Sequence, residues 1–198
     1  MDSILKCLEI DDVQSFEKTY DHLLNIDVSN LADFPIIFHS CPNPIAFASF
    51  YGAKECFLFL MRNGIQIENI DDESRSAIHF ACAGGNYNMV HMLIEDFNQF
   101  YCIDALGRNP LHYSSEYDHI KISKLLIEKW KSKQSGNLEA SVLINKKDIF
   151  GITPFHLSVE NGNEEFFDYF ISNGANVNIA DSDGCTSIHI AAKVGSIN

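Results

Sequence analysis

The chain has 198 residues, 46% of them hydrophobic, which is enough to bury the core of one domain or of a short repeat array. No run of 18 apolar residues occurs, and the N-terminus lacks the basic and apolar stretches of a signal peptide. We therefore expect a cytoplasmic or nuclear protein that does not bind membranes. A net charge of −13 repels phosphate backbones, so we expect no nucleic-acid binding. The six cysteines form no CxxC pair, which favours reduced thiols over disulfides or a zinc site.

Residues 1–42 show helical periodicity but no clear motif. Apolar residues recur at helical spacing over residues 4–10 and 12–24, which predicts two helices. The residues predicted to form a polar outer face are Asp11, Asp12, Glu17, Lys18 and Asp21. We interpret residues 1–42 as a degenerate capping unit at the N-terminal end of an array, because a terminal repeat needs one polar face.

A short motif occurs five times from residue 43 onward. Its clearest copy is TPFHL at residues 153–157, and related lines begin at residues 43, 76, 109 and 186. The intervals are 33, 33, 44 and 33 residues, so a period of 33 residues is interrupted once by an insertion. We place the insertion at about residues 131–142, where Ser, Gly and Asn predict a solvated loop.

Each copy of the motif predicts a pair of helices. The initial Thr, Ser or Asn can cap the first helix, and Pro often follows at its first position. A glycine usually marks the turn between the helices, but Asp118 replaces it in the third copy. Gly64 and Gly174 are predicted to end second helices in the left-handed conformation. Phe97 and Trp130 stand where such a glycine is expected, so those two helices must end differently.

The repeated line resembles the TPLHxAA motif of ankyrin repeats, which recur with a period of 33 residues. The resemblance covers residues 43–198, and the Asn-, Ile- and Phe-rich composition is similar to the ankyrin-repeat proteins expanded in single-celled eukaryotes. It implies an all-α solenoid of stacked helix-turn-helix units with β-hairpin finger loops. The unit that begins at residue 186 is incomplete. This suggests either a fragment of a longer array or an end that pairs with a partner or another copy.

The resemblance implies a non-catalytic interaction module that binds a partner protein through its concave face and finger tips. The acidic charge favours a basic partner, and we expect a monomer. Tyr51 and Tyr117 flank helix turns and are the preferred aromatic anchors, whereas Leu106 and Phe150 could equally pack on adjacent fingers. By correspondence with the family, the predicted contact residues are Phe50, Tyr51, Asp72, Glu73, Arg75, Leu106, Arg108, Glu116, Tyr117, Ile149, Phe150, Ile152, Glu160 and Asn161.

Three alternatives stay open at this point. The array could be the adaptor part of a longer protein, recruiting a client to a C-terminal effector domain. Asn178 lies where some ankyrin asparagines are hydroxylated, which would make the chain a substrate. Four motif histidines invite a metal or catalytic interpretation, although the resemblance implies that each ring hydrogen-bonds to the backbone of neighbouring loops. They are His79, His112, His156 and His189.

Catalytic and metal-binding motifs are otherwise missing from the sequence. It contains no GxSxG, GxGxxG, P-loop or HExxH pattern, so we expect no enzymatic activity, no cofactor and no metal. The acidic run Asp71-Asp72-Glu73 lacks the spacing of a calcium loop and is interpreted as a solvated finger tip.

Overall fold

A computed structural model describes residues 2–23, 43–68, 71–133 and 140–195. The description does not cover the predicted helix end at Leu24, the rest of the predicted capping unit up to residue 42, the side chain of Asp21 or residues 196–198. The chain divides into two compact units, residues 1–99 (unit 1) and residues 100–198 (unit 2). Every regular element in the described part is an α-helix, which confirms the predicted all-α class.

Most of the described helices come in consecutive pairs in both units. Unit 1 contains α1 (Asp2–Glu9), α2 (Val13–Leu23), α3 (Pro44–Tyr51), α4 (Lys54–Arg62), α5 (Ala77–Ala83) and α6 (Tyr87–Glu95). Unit 2 contains α7 (Pro110–Glu116), α8 (Ile120–Lys133), α9 (Ser141–Ile144), α10 (Pro154–Asn161), α11 (Glu164–Ser172) and α12 (Ser187–Val194). We call α3, α5, α7, α10 and α12 inner helices, and α4, α6, α8 and α11 outer helices.

The inner helices begin where the motif predicts because their first turns are capped. The side chains of Asn43, Asn109 and Thr153 accept hydrogen bonds from backbone N–H groups of the first turn, the first from Ala46 at 2.9 Å. Pro at the first helical position costs no hydrogen bond there, since that N–H would have no intrahelical partner. Loss of such a cap typically costs about 1 kcal/mol of stability.

Unit 1 is built from two layers of helices. α3 packs on α1 and α5 in the inner layer, and each inner helix also packs on the outer helix that follows it. Phe16, Phe57 and Phe80 are fully buried between the layers. Burial of one such ring contributes about 2–3 kcal/mol, so these three side chains are among the larger single contributors to the core of the unit.

Unit 2 repeats this arrangement. α10 packs on both α7 and α12 in the inner layer, and α8 and α11 cover α7 and α10. Phe166 and Phe170 are fully buried, with their ring centroids 5.4 Å apart in an edge-to-face contact. The small buried residues Ser114, Ser115 and Ser158 allow the inner helices to approach one another closely.

The predicted exceptions at the helix ends are resolved by polar residues in the left-handed conformation. Gly64 and Gly174 have φ values of 87° and 91°, as predicted. After α6, Asn98 takes this conformation with φ 50°, one residue beyond Phe97. Asp118 has φ 61° at the turn between α7 and α8. Asn and Asp tolerate this region better than other non-glycine residues, so each can replace glycine at a modest cost.

The predicted solvated loop at residues 131–142 is wrong at both ends. α8 continues past Trp130 to Lys133, because no glycine or proline interrupts its helical pattern. α9 begins at Ser141, and Ala140 before it is buried. Residues 134–139, in the middle of the insertion, lie outside the described part.

Candidate functional site

Four loops, which we call fingers, precede the inner helices α5, α7, α10 and α12 and fold in the same way. They comprise residues 71–75, 104–108, 148–152 and 181–185. In each, the backbone N–H of the first residue donates to the carbonyl of the fifth, at 2.8–3.2 Å. The described fingers contain no strand, so the predicted β-hairpins are tight turns.

An aspartate at the first position holds each finger together. In the third finger, Oδ1 of Asp148 accepts hydrogen bonds from the N–H groups of Phe150 at 2.9 Å and Ile152 at 2.8 Å. The carboxylates of Asp71, Asp104 and Asp181 accept the same pair of bonds in their own fingers. A carboxylate that accepts two backbone N–H groups makes strong, charge-assisted bonds, so the tip of each finger is held in one conformation.

The first finger differs from the prediction that Asp71, Asp72 and Glu73 form a solvated tip. Asp72 is exposed, but Asp71 is buried and binds Arg75 at 2.6 Å. The guanidinium also contacts Glu73 at 3.2 Å and lies 5.0 Å from the ring centroid of Phe80. Arg75 is 5% exposed, so its side chain stabilises the finger. The prediction that Arg75 contacts a partner requires an accessible side chain, which this burial does not provide.

In unit 2, Arg108 links two fingers and an inner helix. Its Nε lies 3.1 Å from Asp148 of the next finger, and its Nη1 lies 3.1 Å from Glu116 on α7. Asp104, in the same finger as Arg108, accepts a 2.6 Å hydrogen bond from the hydroxyl of Tyr113. These polar contacts fix the fingers against α7, so the surface above them is preorganised.

The third finger presents the most exposed apolar pair among the predicted contact residues. Ile149 is 60% exposed and Phe150 is 52% exposed. Their backbones bind the neighbouring fingers, because the N–H of Ile149 donates to the carbonyl of Leu106 at 2.9 Å and Phe150 accepts from Ser182 at 2.8 Å. Phe150 therefore joins its neighbour through the backbone while its ring faces solvent. Leu106 itself is half-buried.

Two glutamates on successive inner helices are close enough to influence each other. Burial raises the pKa of Glu116, and the charge of Glu160 raises it further, while Arg108 opposes both effects. The burial of Glu116 is partial, since its side chain is 38% exposed, and Glu160 is exposed. A third acid, Asp148, also raises the pKa of Glu116. This side of unit 2 is therefore a place where an additional positive charge is favourable.

The remaining predicted residues of unit 2 have mainly structural contacts. Asn161 donates through Nδ2 to the carbonyls of Ser115 at 2.8 Å and Glu116 at 2.9 Å, which closes the C-terminal end of α7. Tyr117 is the half-buried C-terminal cap of α7, and Ile152 is half-buried at the end of its finger.

In unit 1, Phe50 and Tyr51 form a half-buried aromatic pair. Their ring centroids are 5.3 Å apart in an edge-to-face contact. Burial raises the pKa of the Tyr51 hydroxyl, and Glu9 raises it further. Because the two rings pack on each other, only part of each is accessible to a ligand.

The motif histidines are occupied by backbone hydrogen bonds. In His156, Nδ1 accepts from the N–H of Thr153 at 3.1 Å, so Nε2 carries the proton and donates to the carbonyl of Ile179 at 2.9 Å. His112 binds Asn109 and Ile152 in the same manner. The rings of His112 and His156 thus connect a helix start to the following finger region. Within the described ranges, no group of three His, Cys, Asp or Glu residues could hold a metal ion.

A family description for ankyrin repeats in three copies matches residues 45–139 and 134–198, most of the chain. The chain belongs to the ankyrin-repeat family. The paired helices, the capped helix starts and the fingers described above are thus those of ankyrin repeats. This family consists generally of non-catalytic protein-interaction modules. No described helix of these repeats has the length and apolar character needed to cross a membrane.

Similar proteins include several long ankyrin-repeat proteins. Human transient receptor potential cation channel subfamily A member 1 is 26% identical over 125 residues, 63% of this chain and 10% of that protein. Mouse Rabankyrin-5 is 26% identical over 156 residues, 77% of this chain and 12% of that protein. Mouse Inversin is 24% identical over 150 residues, 76% of this chain and 13% of that protein. The chain thus matches about a tenth of the length of these relatives, and their names share no single activity.

Proposed function

We propose that this ankyrin-repeat chain is a non-catalytic recognition module, and that unit 2 binds a partner protein through its third finger and the adjacent inner helices. The observation that carries the proposal is the exposure of Ile149 and Phe150 on a finger held by Asp148. Ordered apolar side chains at the surface are suited to anchoring a partner, because little conformational entropy is lost when they are buried.

The charges near the finger favour a basic partner. Glu116 and Glu160 lie on successive inner helices, and burial, followed by the charge of Glu160, raises the pKa of Glu116. A lysine or arginine from the partner offsets the repulsion between these two carboxylates. The proposed partner therefore places a basic side chain at these glutamates and an apolar one against Phe150.

The proposal is tested by affinity capture and mass spectrometry with three forms of the chain. The double variant Ile149→Ser/Phe150→Ser removes the apolar pair, and Val142→Ser is the matched control, because Val142 is a 45% exposed apolar residue of α9. A protein captured by the wild type and the control but not by the double variant is the expected result. For that protein in purified form, we expect the double variant to bind at least about tenfold more weakly. Equal capture by all three forms contradicts the proposal.

The basic character of the partner is tested separately with Glu116→Gln/Glu160→Gln. We expect weaker binding and a smaller dependence of Kd on salt concentration, because two of the attractive charges are removed. An unchanged salt dependence shows that these glutamates do not contact the partner.

We also propose that the chain acts as a monomer in the cytoplasm or nucleus, and that residues 1–42 serve as the N-terminal capping unit. Cys56 and Cys185 are free thiols, as in proteins of reducing compartments. Asp11 supports the capping role, because its carboxylate accepts hydrogen bonds from the N–H groups of Glu55 at 2.9 Å and Cys56 at 3.0 Å, at the start of α4.

A further inference from the structure

Residues 100–103 of unit 2 present two exposed apolar side chains on one side of the chain. These residues lead into the second finger without forming a helix or a turn. Tyr101 and Ile103 are each 47% exposed, whereas Phe100 and Cys102 are half-buried. Exposure that alternates with a period of two is typical of an extended backbone, which places Tyr101 and Ile103 on the same side.

The rings of this segment pack around Trp130 of α8. The ring centroid of Phe100 lies 5.7 Å from that of Trp130 in a stacked contact, and that of Tyr101 lies 5.3 Å away. Trp130 is 5% exposed, and its Nε1 has no hydrogen-bond partner among the described residues. A buried indole N–H usually has an acceptor, so an oxygen that reaches it after a shift of the half-exposed Tyr101 ring is bound favourably. We call Phe100, Tyr101, Ile103 and Trp130 the Trp130 patch.

The charge beside the Trp130 patch is positive, although the chain has a net charge of −13. α8 carries five lysines and one glutamate. Nζ of Lys133 lies 5.4 Å from the ring centroid of Phe100, and Lys129 is one turn earlier on the same face of α8. The glutamate, Glu128, lies toward α11, where its charge adds to the effect of burial in raising the pKa of Tyr169. No acid of α8 therefore opposes the two lysines at the patch.

The lysines on the other flank of α8 have partners on α11 and beyond it. Nζ of Lys124 lies 2.5 Å from Glu165, and Lys131 donates to the side chain of Asn173. With about 3.6 residues per turn, Lys133 is on the opposite flank of the helix from Lys124. An exposed apolar surface bordered by positive charge is complementary to a segment that carries both acidic and apolar side chains.

We propose that the Trp130 patch binds an acidic segment of a partner protein, in which Asp or Glu residues flank large apolar ones. The carboxylates of that segment lie against Lys129 and Lys133, and its apolar side chains cover Tyr101 and Ile103. The patch shares no residue with the third-finger surface, which favours a basic partner, so the chain connects two proteins of opposite charge. This connecting role rests on the proposed function, whereas the site for the acidic segment stands without it.

The experiment uses the 198-residue chain, in which Trp130 is the only tryptophan, so that its fluorescence reports binding at this patch. The probe is a synthetic peptide of about 10 residues, which spans about 30 Å when extended, built from Glu, Leu and Gly. One control peptide replaces Glu by Gln, and a second replaces Leu by Ser. We expect the Glu/Leu peptide to change the emission of Trp130 saturably and both controls to bind at least about tenfold more weakly.

Two tyrosine variants locate the apolar contact, with affinity measured by the anisotropy of labelled peptide. Tyr101→Ser removes the exposed ring of the patch. Tyr87→Ser is the matched control, because Tyr87 is a 44% exposed tyrosine of α6 whose ring also stacks on a neighbouring side chain. We expect Tyr101→Ser to bind at least about tenfold more weakly and Tyr87→Ser to bind like the wild type.

Two lysine variants test the charge. Lys129→Gln/Lys133→Gln removes two positive charges beside the patch, and Lys121→Gln/Lys131→Gln removes the same number elsewhere on α8. We expect the first to bind about fivefold more weakly with a smaller salt dependence, and the second to bind nearly as the wild type. The Ile149→Ser/Phe150→Ser variant is expected to retain peptide binding, so failure of one proposal is distinguishable from failure of the other.

Several results overturn the inference. Equal losses in the two lysine variants show a response to the general charge of α8, and binding that leaves the emission of Trp130 unchanged places the peptide elsewhere. An emission change with vesicles of phosphatidylserine and phosphatidylcholine, but not with the peptide, makes the ligand an anionic membrane. If light scattering shows that the wild type self-associates, Tyr101→Ser is monomeric and the peptide does not compete, the occupant is a second copy of the chain.

Discussion

Replacement of Asp148 by alanine is expected to destabilise unit 2 much more than the same change at Asp181. Both aspartates accept two hydrogen bonds from the backbone of their own finger, at 2.8–2.9 Å. Asp148 is buried and also binds Arg108 at 3.1 Å. Asp181 is only half-buried, so water can replace its carboxylate in the variant.

The expected difference follows from the number and the burial of the bonds that are lost. In Asp148→Ala, two N–H groups lose a charged acceptor and a largely buried guanidinium loses one of its two partners. Removing one partner of a buried charged bond costs about 1.5–3 kcal/mol, and since such losses are not additive we expect about 3–5 kcal/mol in total. In Asp181→Ala the solvated bonds cost about 1 kcal/mol.

Urea denaturation followed by circular dichroism measures both free energies of unfolding. Asp148→Asn serves as an intermediate variant, because its amide oxygen can still accept the two backbone bonds while the charge beside Arg108 is lost. We expect its loss of stability to lie between those of the two alanine variants. Similar losses in Asp148→Ala and Asp181→Ala refute the reasoning, because they show that burial and the Arg108 contact add nothing to the finger.

Two further predictions concern backbone approach and pH. In Gly84→Ala, the new Cβ overlaps the carbonyl oxygen of Phe50, so we expect the free energy of unfolding to fall by about 2–3 kcal/mol. In Gly64→Ala the new Cβ meets no atom within 4 Å, so only the positive φ costs stability, about 1 kcal/mol. Thermal unfolding of the two variants measures the difference. Burial lowers the pKa of His156 below that of the unfolded chain, so the unfolded state binds protons first and stability falls as the pH drops below roughly 6.5. When the free energy of unfolding is measured from pH 7 to 5, we expect a smaller fall in His156→Gln and the wild-type fall in the control His91→Gln. Equal falls in the wild type and both variants contradict the attribution to His156.

Much of the fold could be predicted from the sequence because the signals for ankyrin repeats are local. Capping residues, helix-initiating prolines and glycines with positive φ act within a few residues of their own position, so each repeat carries its own boundaries. The exceptions at Phe97 and Asp118 could be located for the same reason. Their solutions, a left-handed Asn98 after one helix and a left-handed Asp118 between two others, required the structure.

The fingers were harder to predict because their aspartates look like ordinary surface acids. Asp71 stands in an acidic run, yet it is buried against Arg75, and a solvated tip was the wrong interpretation. One signal could have shown this. An aspartate lies five residues before four of the capping residues, which are Ser76, Asn109, Thr153 and Thr186. Recurrence at a fixed distance from a helix start indicates a structural role for a charged residue, even where its partners are distant in sequence.

The exposed contact surface could be predicted only in part. The correspondence with the family identified Ile149 and Phe150, whose exposure fits a binding role, but it also included Arg75 and Asn161, which make internal bonds. Whether a polar side chain faces a ligand or the next repeat depends on tertiary contacts, which a 33-residue pattern does not contain.

An asparagine that closes the end of a preceding inner helix gives two of the repeat pairs, one in each unit, a direction. Asn161 of α10 satisfies carbonyls at the end of α7, and Asn86 does the same for Phe50 at the end of α3. In the opposite direction along the chain, the carboxylate of Asp11 accepts hydrogen bonds from N–H groups at the start of the later helix α4. In the two asparagine cases the later repeat therefore completes the C-terminal end of the inner helix before it, and its unfolding leaves unsatisfied carbonyls in that helix. Within each unit, damage at the later repeat of such a pair is thus transmitted toward the N-terminus through hydrogen bonds as well as through lost apolar contact.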